Sequence, residues 1–198
     1  SLEGEDFKLE IKRNVFDQNQ LSNNLVSNTS FDSQSIDQKS INYEDRPYRA
    51  CVGIMLINAK GQIFSGQRID NRAEAWQMPQ GGIDEGEDIE TACFREMQEE
   101  IGTNKAEILR IHPDWLNYDI PEELANRLWS GAYRGQTQKW VALRFTGSDS
   151  DINIETEEPE FISWQWLPPE QLVERAVPFK QGVYQNLMDT FKDEISAF

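Results

Sequence analysis

Three glutamates, Glu96, Glu99 and Glu100, stand at i, i+3 and i+4 in a stretch whose apolar residues return every four positions: Ile89, Cys93, Met97 and Ile101, with Ala92 beside them. That period predicts a helix from about Asp88 to Ile101 with one face on a core. It also gathers the three carboxylates on another face. Like charges at these spacings repel by roughly 0.2–0.5 kcal/mol per pair. They also crowd the C-terminal end of the helix, where the dipole disfavours anions. A divalent cation reverses both penalties, because carboxylates a turn apart offer the hard oxygen ligands that Mg²⁺ takes while it keeps waters and binds phosphate. Taken alone, such a triplet is more often a solvated acidic face.

The surrounding residues change that balance. Asp88 suits a helix N-cap, and Gly102 suits the left-handed position that ends a helix. The run Gly81 to Thr103, GGIDEGEDIETACFREMQEEIGT, fits G-x5-E-x7-R-E-U-x-E-E-x-G-U, with Gly81, Glu87, Arg95, Glu96, Glu99, Glu100 and Gly102 in place. Seven fixed residues at roughly 6% usage each coincide by chance on the order of 10⁻⁷ to 10⁻⁶ over all registers. The run resembles the signature of the Nudix hydrolases, which cleave nucleoside diphosphates linked to another moiety. One position departs: Thr103 stands where the family has an aliphatic residue.

The resemblance implies that Glu96, Glu99 and Glu100 bind metal, Mg²⁺ with Mn²⁺ or another divalent ion as alternatives. Arg95 would orient a glutamate through a charge-assisted hydrogen bond. Gly81 and Gly82 would permit a tight loop, and Glu87 would tie that loop to the helix. Loop geometry alone explains these last three as readily.

The similarity extends over most of residues 46–190. Tyr48-Arg49, Trp76 to Gly82, Trp115 to Tyr118, Gly135 to Trp140, Glu158 to Phe161, Trp164 to Trp166 and Phe179-Lys180 resemble a subgroup. It joins bacterial RNA pyrophosphohydrolases with plant-type asymmetric diadenosine tetraphosphate hydrolases. Arg127 to Gly135 (RLWSGAYRG) is more similar to the second. By that resemblance Glu160 is a further metal ligand or base; Arg49, Arg68, Lys139 and Lys180 contact phosphates; and Tyr133 and Phe179 stack on a nucleobase. Core packing competes for the two aromatics, and for Tyr184. The implied reaction is metal-assisted hydrolysis of a phosphoanhydride, the water losing its proton to Glu99 or Glu160.

Charge orders the substrates. The chain has 198 residues with 35 Asp+Glu against 19 Lys+Arg, a net charge of −16. This argues against an extended nucleic-acid or anionic-membrane surface. The first expectation is therefore a small nucleotide such as diadenosine tetraphosphate, split into ATP and AMP. The second is the 5′ end of RNA, trimmed from triphosphate to monophosphate, which needs only a local positive pocket. A module that binds a nucleotide without cleaving it is a third reading, which loss of the glutamates would favour; all are present.

The elements that position these residues follow from the pattern. Arg49–Ile57 and Gln62–Arg68 read as strands joined by a turn at Asn58–Gly61. Further strands fit Ala106–Ile111, Trp115–Tyr118, Gln138–Phe145 and Phe161–Leu167. Pro168-Pro169 opens a short helix, and residues 180–195 supply a last one. Strands and helices mix without strict alternation, so the fold class is α/β or α+β, a mixed sheet between helices; the resemblance makes it a Nudix fold.

Residues 1–45 form a polar acidic arm and 46–198 the hydrolase domain. Sixteen of residues 14–43 are Asn, Gln or Ser, which reads as a poorly packed segment. Before it, Phe7, Leu9 and Ile11 alternate with charged residues in a short strand pattern. The arm is expected to lie on its own domain or on a second copy, making it a candidate homodimer element. Two cysteines, Cys51 and Cys93, read as small buried hydrophobes. The single histidine, His112, forms no catalytic constellation. No apolar run approaches the roughly 20 residues that span a bilayer, and the charged N-terminus lacks a secretory pattern, so the expected location is cytoplasmic.

Overall fold

The computed structural model describes residues 41–69 and 75–197, so the arm's strand pattern at Phe7–Ile11 and almost all of its polar stretch lie outside the described residues. The described chain forms two compact units, one of residues 48–119 and 135–197, the other of residues 41–47 and 120–134.

The larger unit is built on an eight-stranded sheet. Its strands are β1 (Tyr48–Ile57), β2 (Ile63–Arg68), β3 (Trp76–Gln77), β4 (Gln80–Gly82), β5 (Ala106–Ile111), β6 (Leu116–Asp119), β7 (Gly135–Phe145) and β8 (Phe161–Leu167). The main path runs β3-β2-β1-β7-β5, with β4 on β1, β6 on β7 and β8 on β2. β1 and β7 run parallel through ten paired residues, and the other pairings are antiparallel. The sheet is therefore mixed. Asn58 makes the β1–β2 turn, its side-chain oxygen accepting from the N–H of Lys60 and of Gln62 at 2.9 Å each.

Side chains alternate across a strand, so β1 feeds two cores. Val52, Ile54 and Leu56 join Ala92, Cys93, Met97 and Ile101 from helix α1 (Ile89–Ile101) on one face. Met55 and Ile57 join Trp140, Leu172, Tyr184 and Leu187 on the other. Leu172 belongs to α3 (Pro169–Arg175) and Tyr184 and Leu187 to α4 (Pro178–Thr190); α5 (Lys192–Ser196) closes the chain. The sheet thus lies between helices.

The smaller unit holds α2 (Glu122–Arg127) and two 3-10 turns, Tyr43–Asp45 and Leu128–Gly131. Tyr43 pins it: its hydroxyl donates to Ile120 O at 2.6 Å, and the guanidinium carbons of Arg46 and Arg134 each sit 5.7 Å from its ring centroid.

Several boundaries differ from the sequence reading. β7 begins at Gly135 rather than Gln138, because its first residues pair with β1 and β6. The expected strand Trp115–Tyr118 is shifted by one, to Leu116–Asp119. The last helix starts at Pro178 and breaks at Phe191, whose φ of −96° and ψ of 19° are not helical. β3, β4 and α2 are additions that no periodic pattern marked.

Candidate active site

Helix α1 begins and ends where its caps dictate. The Asp88 side chain accepts from Thr91 N at 2.7 Å, and this bond holds its carboxyl below the ordinary value. Gly102 takes the left-handed conformation, φ 71°. Thr103 is buried, and its hydroxyl accepts from Lys105 N at 3.2 Å, so a polar residue is satisfied at the departing position.

The three glutamates are not alike. Glu96 is 3% exposed and Glu100 0%, whereas the Glu99 side chain is 48% exposed. A solvated acidic face would leave all three in water; burying two carboxylates is costly and calls for compensating positive charge.

Arg95 supplies part of it. Its Nη1 donates to Glu96 Oε1 at 2.9 Å and, more loosely, to Glu99 at 3.3 and 3.4 Å. Its Nε and Nη2 form a fork on Glu87 at 2.8 and 2.7 Å, and Nη2 also donates to Gly82 O at 2.8 Å. The hydrogen bonds from Arg95 hold the Glu87 carboxyl below its ordinary value, and the same pairing raises the guanidinium. Glu87 Oε1 also accepts from Asp84 N at 3.1 Å, which closes the loop before the helix.

Gly81 is packed against Glu96. A Cβ there would overlap the Glu96 carboxylate, and one on Gly82 would overlap the Arg49 guanidinium. These two contacts lie on opposite faces of β4, as the alternation of a strand requires. Two buried carboxylates one turn apart, a third half-exposed beside them and a bare backbone opposite make a donor set that fits a hard divalent cation. Among the described residues no three His, Cys, Asp or Glu side chains are gathered so that they could hold a metal ion as they stand; Arg95 takes up Glu96 and Glu99 instead.

The other candidates are dispersed. Glu160 directly precedes β8, where its backbone carbonyl accepts from Ile69 N at 3.0 Å. Arg68 ends β2 at the bulge opposite Phe161. Lys139 donates to Pro113 O at 3.0 Å and lies over the Trp115 ring. Lys180 is buried, donating to Gln77 Oε1 at 3.1 Å with its ammonium 5.9 Å from the Tyr118 ring centroid. Phe179 meets the same ring at 5.7 Å. Tyr133 belongs to the smaller unit, edge-on to Trp129. Tyr184 is core, and its hydroxyl accepts from Met78 N at 2.9 Å.

Sequence reasoning missed a cluster of neutral groups beside Lys180 and Phe179. Gln80, Gln136, Gln138, Tyr118 and the Trp140 indole form one hydrogen-bonded set. The available signal was the period-2 pair Gln136 and Gln138 on a strand. His112, assigned no role, is buried, with Nδ1 accepting from Asp114 N and Nε2 on Asn186 Oδ1. Both cysteines are buried outside any disulfide, Cys51 Sγ accepting from Arg49 Nη1 at 3.6 Å, and burial pushes the Cys93 thiol up to about 12.

The profile of the family described as NUDIX domain matches residues 47–187. The chain belongs to the Nudix family. Two Nudix relatives are bacterial proteins named RNA pyrophosphohydrolase. That of Rhodospirillum rubrum is 58% identical over 142 residues, covering 72% of this chain and 86% of its own. That of Dinoroseobacter shibae is 52% identical over 149 residues, covering 74% and 93%. Among solved structures, a C. elegans Ap4A hydrolase binary complex aligns with a TM-score of 0.52 at 16% identity, covering 72% of this chain and 98% of its own. At that identity it speaks for the Nudix fold alone. As a Nudix hydrolase the protein acts on phosphoanhydride bonds, and the family typically works with divalent metal ions. No helix among the described residues is long and apolar enough to cross a membrane.

Proposed function

We propose that this Nudix hydrolase is an RNA 5′-pyrophosphohydrolase that converts triphosphate ends to monophosphates with Mg²⁺. The carrying observation is that relatives 52% and 58% identical across most of their own length bear the name RNA pyrophosphohydrolase. This reverses the order that net charge suggested. A charge of −16 repels a long backbone at range, but a 5′ end asks only for a local pocket, and range falls to about 8 Å at physiological salt.

In this reading Glu96, Glu99, Glu100 and Glu160 hold the cations. Divalent ions bound there would supply charge neutralisation of the polyphosphate and a more acidic water. Glu99 or Glu160 would take the proton of the attacking water as its oxygen bonds to phosphorus and the anhydride P–O bond breaks. Arg95 keeps Glu96 in place through the fork it makes on Glu87. Arg49, Arg68, Lys139 and Lys180 meet phosphate oxygens, and Phe179 and Tyr133 offer aromatic faces to bases. The N-terminal arm is proposed as a dimer contact; an unchanged mass by light scattering after removal of residues 1–45 would refute that.

The test of the substrate is a side-by-side turnover assay with Mg²⁺, 5′-triphosphorylated RNA and diadenosine tetraphosphate, with Glu100→Gln as the blank. Faster conversion of RNA ends is the expected result. Faster release of ATP plus AMP would reinstate the dinucleotide as substrate. If neither substrate turned over above the blank, the nucleotide-binding module would become the better account.

A further inference from the structure

The amide cluster has a fixed polarity, and its source is one atom. An indole N–H can only donate. Trp140 is fully buried, and its Nε1 donates to Gln138 Oε1 at 2.9 Å. That bond decides which end of the Gln138 amide is oxygen. The amino end is then left to donate, to Gln80 Oε1 at 2.8 Å and Gln136 Oε1 at 2.9 Å, and more loosely to the Tyr118 hydroxyl at 3.5 Å. Gln136 Oε1 also receives the Tyr118 hydroxyl at 2.9 Å and Gln80 Nε2 at 3.2 Å. Every amide in the set therefore has its orientation dictated in turn from Trp140.

The set grips Gln80, and Gln80 opens β4. Its successor Gly81 lies against the Glu96 carboxylate, and the next residue, Gly82, accepts from Arg95 and abuts Arg49. β4 itself is only three residues long, paired with Cys51, Val52 and Gly53 of β1. One backbone bond flanks it on either side, Ile54 N to Pro79 O at 2.9 Å and Ile83 N to Ala50 O at 3.2 Å, and the side-chain grip at Gln80 adds a constraint from strand β7.

We infer that Trp140 and Gln138 are positioning residues for hydrolysis. Through Gln80 they hold β4 so that Gly81 and Gly82 keep Glu96, Arg95 and Arg49 in reacting geometry. The inference rests on the reading of Glu96, Glu99 and Glu100 as the catalytic cluster.

Gln138→Met keeps side-chain length and volume and removes the amide; on its own it also orphans the buried Trp140 N–H. Trp140→Phe with Gln138→Met removes both ends of that bond and leaves no orphaned indole N–H, while the smaller ring leaves a void in the core that lowers the melting temperature by itself. Melting temperature, kcat and KM on triphosphorylated RNA are measured for both variants, with Glu100→Gln in parallel. The expected result is a kcat about ten- to a hundredfold lower in both variants, since small misplacements of reacting groups act on this scale. KM should change less than threefold, and kcat should stay low in the double variant, in which no indole N–H is orphaned. Recovery of kcat in the double variant would make the cluster merely structural and overturn the inference. A loss confined to KM would overturn it in favour of direct substrate contact. Wild-type kcat in both variants with an inactive Glu100→Gln would also overturn it while leaving the glutamate cluster standing. An active Glu100→Gln would instead remove the catalytic reading on which it rests.

Discussion

Arg95 and Gln138 each gather polar side chains around one planar group, and they do so by opposite means. Arg95 draws on Glu87, Glu96, Glu99 and the carbonyl of Gly82, all within the end of β4, the loop after it and the helix that follows. Gln138 draws on Trp140, Gln136 and Gln80, which lie on two strands and meet through β1, since Gly53 pairs with both Gln80 and Trp140. The first assembly is charged and local. The second is neutral and depends on sheet register.

The difference sets what each assembly can do. Charge-assisted bonds are short and strong but titrate and respond to salt. Amide bonds do neither, yet they demand that every donor find its acceptor, because an orphaned buried group costs roughly 1–3 kcal/mol. In the proposed reading the charged set sits where cations and phosphates would come and go, and the neutral set where geometry has to hold. β4 lies between them, and the largest effects are expected there.

Gly81→Ala should be the most damaging change to the charged side. The new Cβ would overlap the Glu96 carboxylate, so either β4 or the glutamate must move. We expect kcat to fall about a hundredfold and stability to fall by about 1–3 kcal/mol, as overpacking commonly costs. Steady-state kinetics alongside a melt would show it. A variant of near-normal kcat would mean that Gly81 and Glu96 need not stay in contact during turnover.

Arg95→Lys comes next. Lysine keeps the charge but cannot make the two-pronged bond to Glu87 while reaching Glu96 and Gly82 O. Turnover should drop tenfold or more, and denaturant melts should show a loss of about 2 kcal/mol, the usual worth of hydrogen bonds to charged groups. If lysine served equally well, the fork geometry would be incidental, and the charged assembly would need only a positive point.

Acid separates the two assemblies directly. The Glu87 carboxyl is held below its ordinary value, chiefly by the Arg95 hydrogen bonds. Its folded-state pKa is thus lower than its unfolded one. The stability it contributes is complete above the unfolded value and is lost as pH falls through the folded value. Melting temperatures from pH 7 to pH 3 should therefore decline more steeply for the wild type than for Glu87→Gln. Gln138→Met, which touches the neutral set, should keep the wild-type slope. Parallel slopes for wild type and Glu87→Gln would show that acid sensitivity arises elsewhere.

The same contrast explains what could be read from the sequence. Helix α1 was legible to the residue: Asp88 accepts from Thr91 N, Gly102 is left-handed, and Cys93, Met97 and Ile101 face the core. Each of those signals lies within a few residues of its effect. β5 and β8 were likewise legible from alternation and flanking turns. The burial of Glu96 and Glu100 was not, because the sequence cannot say which part of the helix rim Gly81 will cover. The amide set was not legible either. Gln80 and Gln138 are 58 residues apart and meet only once β4 and β7 have both paired with β1. β3 and β4 escaped for a related reason: two or three residues of Trp, Gln and Gly carry no period, and only neighbouring strands make them extended.

Gly102→Ala carries the smallest expected effect and marks the edge of the charged assembly. At φ 71° an alanine would bear the left-handed penalty of about 1–2 kcal/mol, and its Cβ would come within 2.7 Å of Asn153 O. Asn153 N donates to Ile101 O at 2.9 Å, so the strain falls on the segment that seals the end of α1. Glu100 is two residues away, and the cap's own bond, Gly102 N to Gln98 O at 3.2 Å, is a backbone bond that alanine can still make. The melt should drop by a few degrees while kcat and KM stay within twofold of wild type. A fall in kcat larger than that would mean that the end of α1 helps to aim the glutamates, extending the charged assembly past the residues that Arg95 touches.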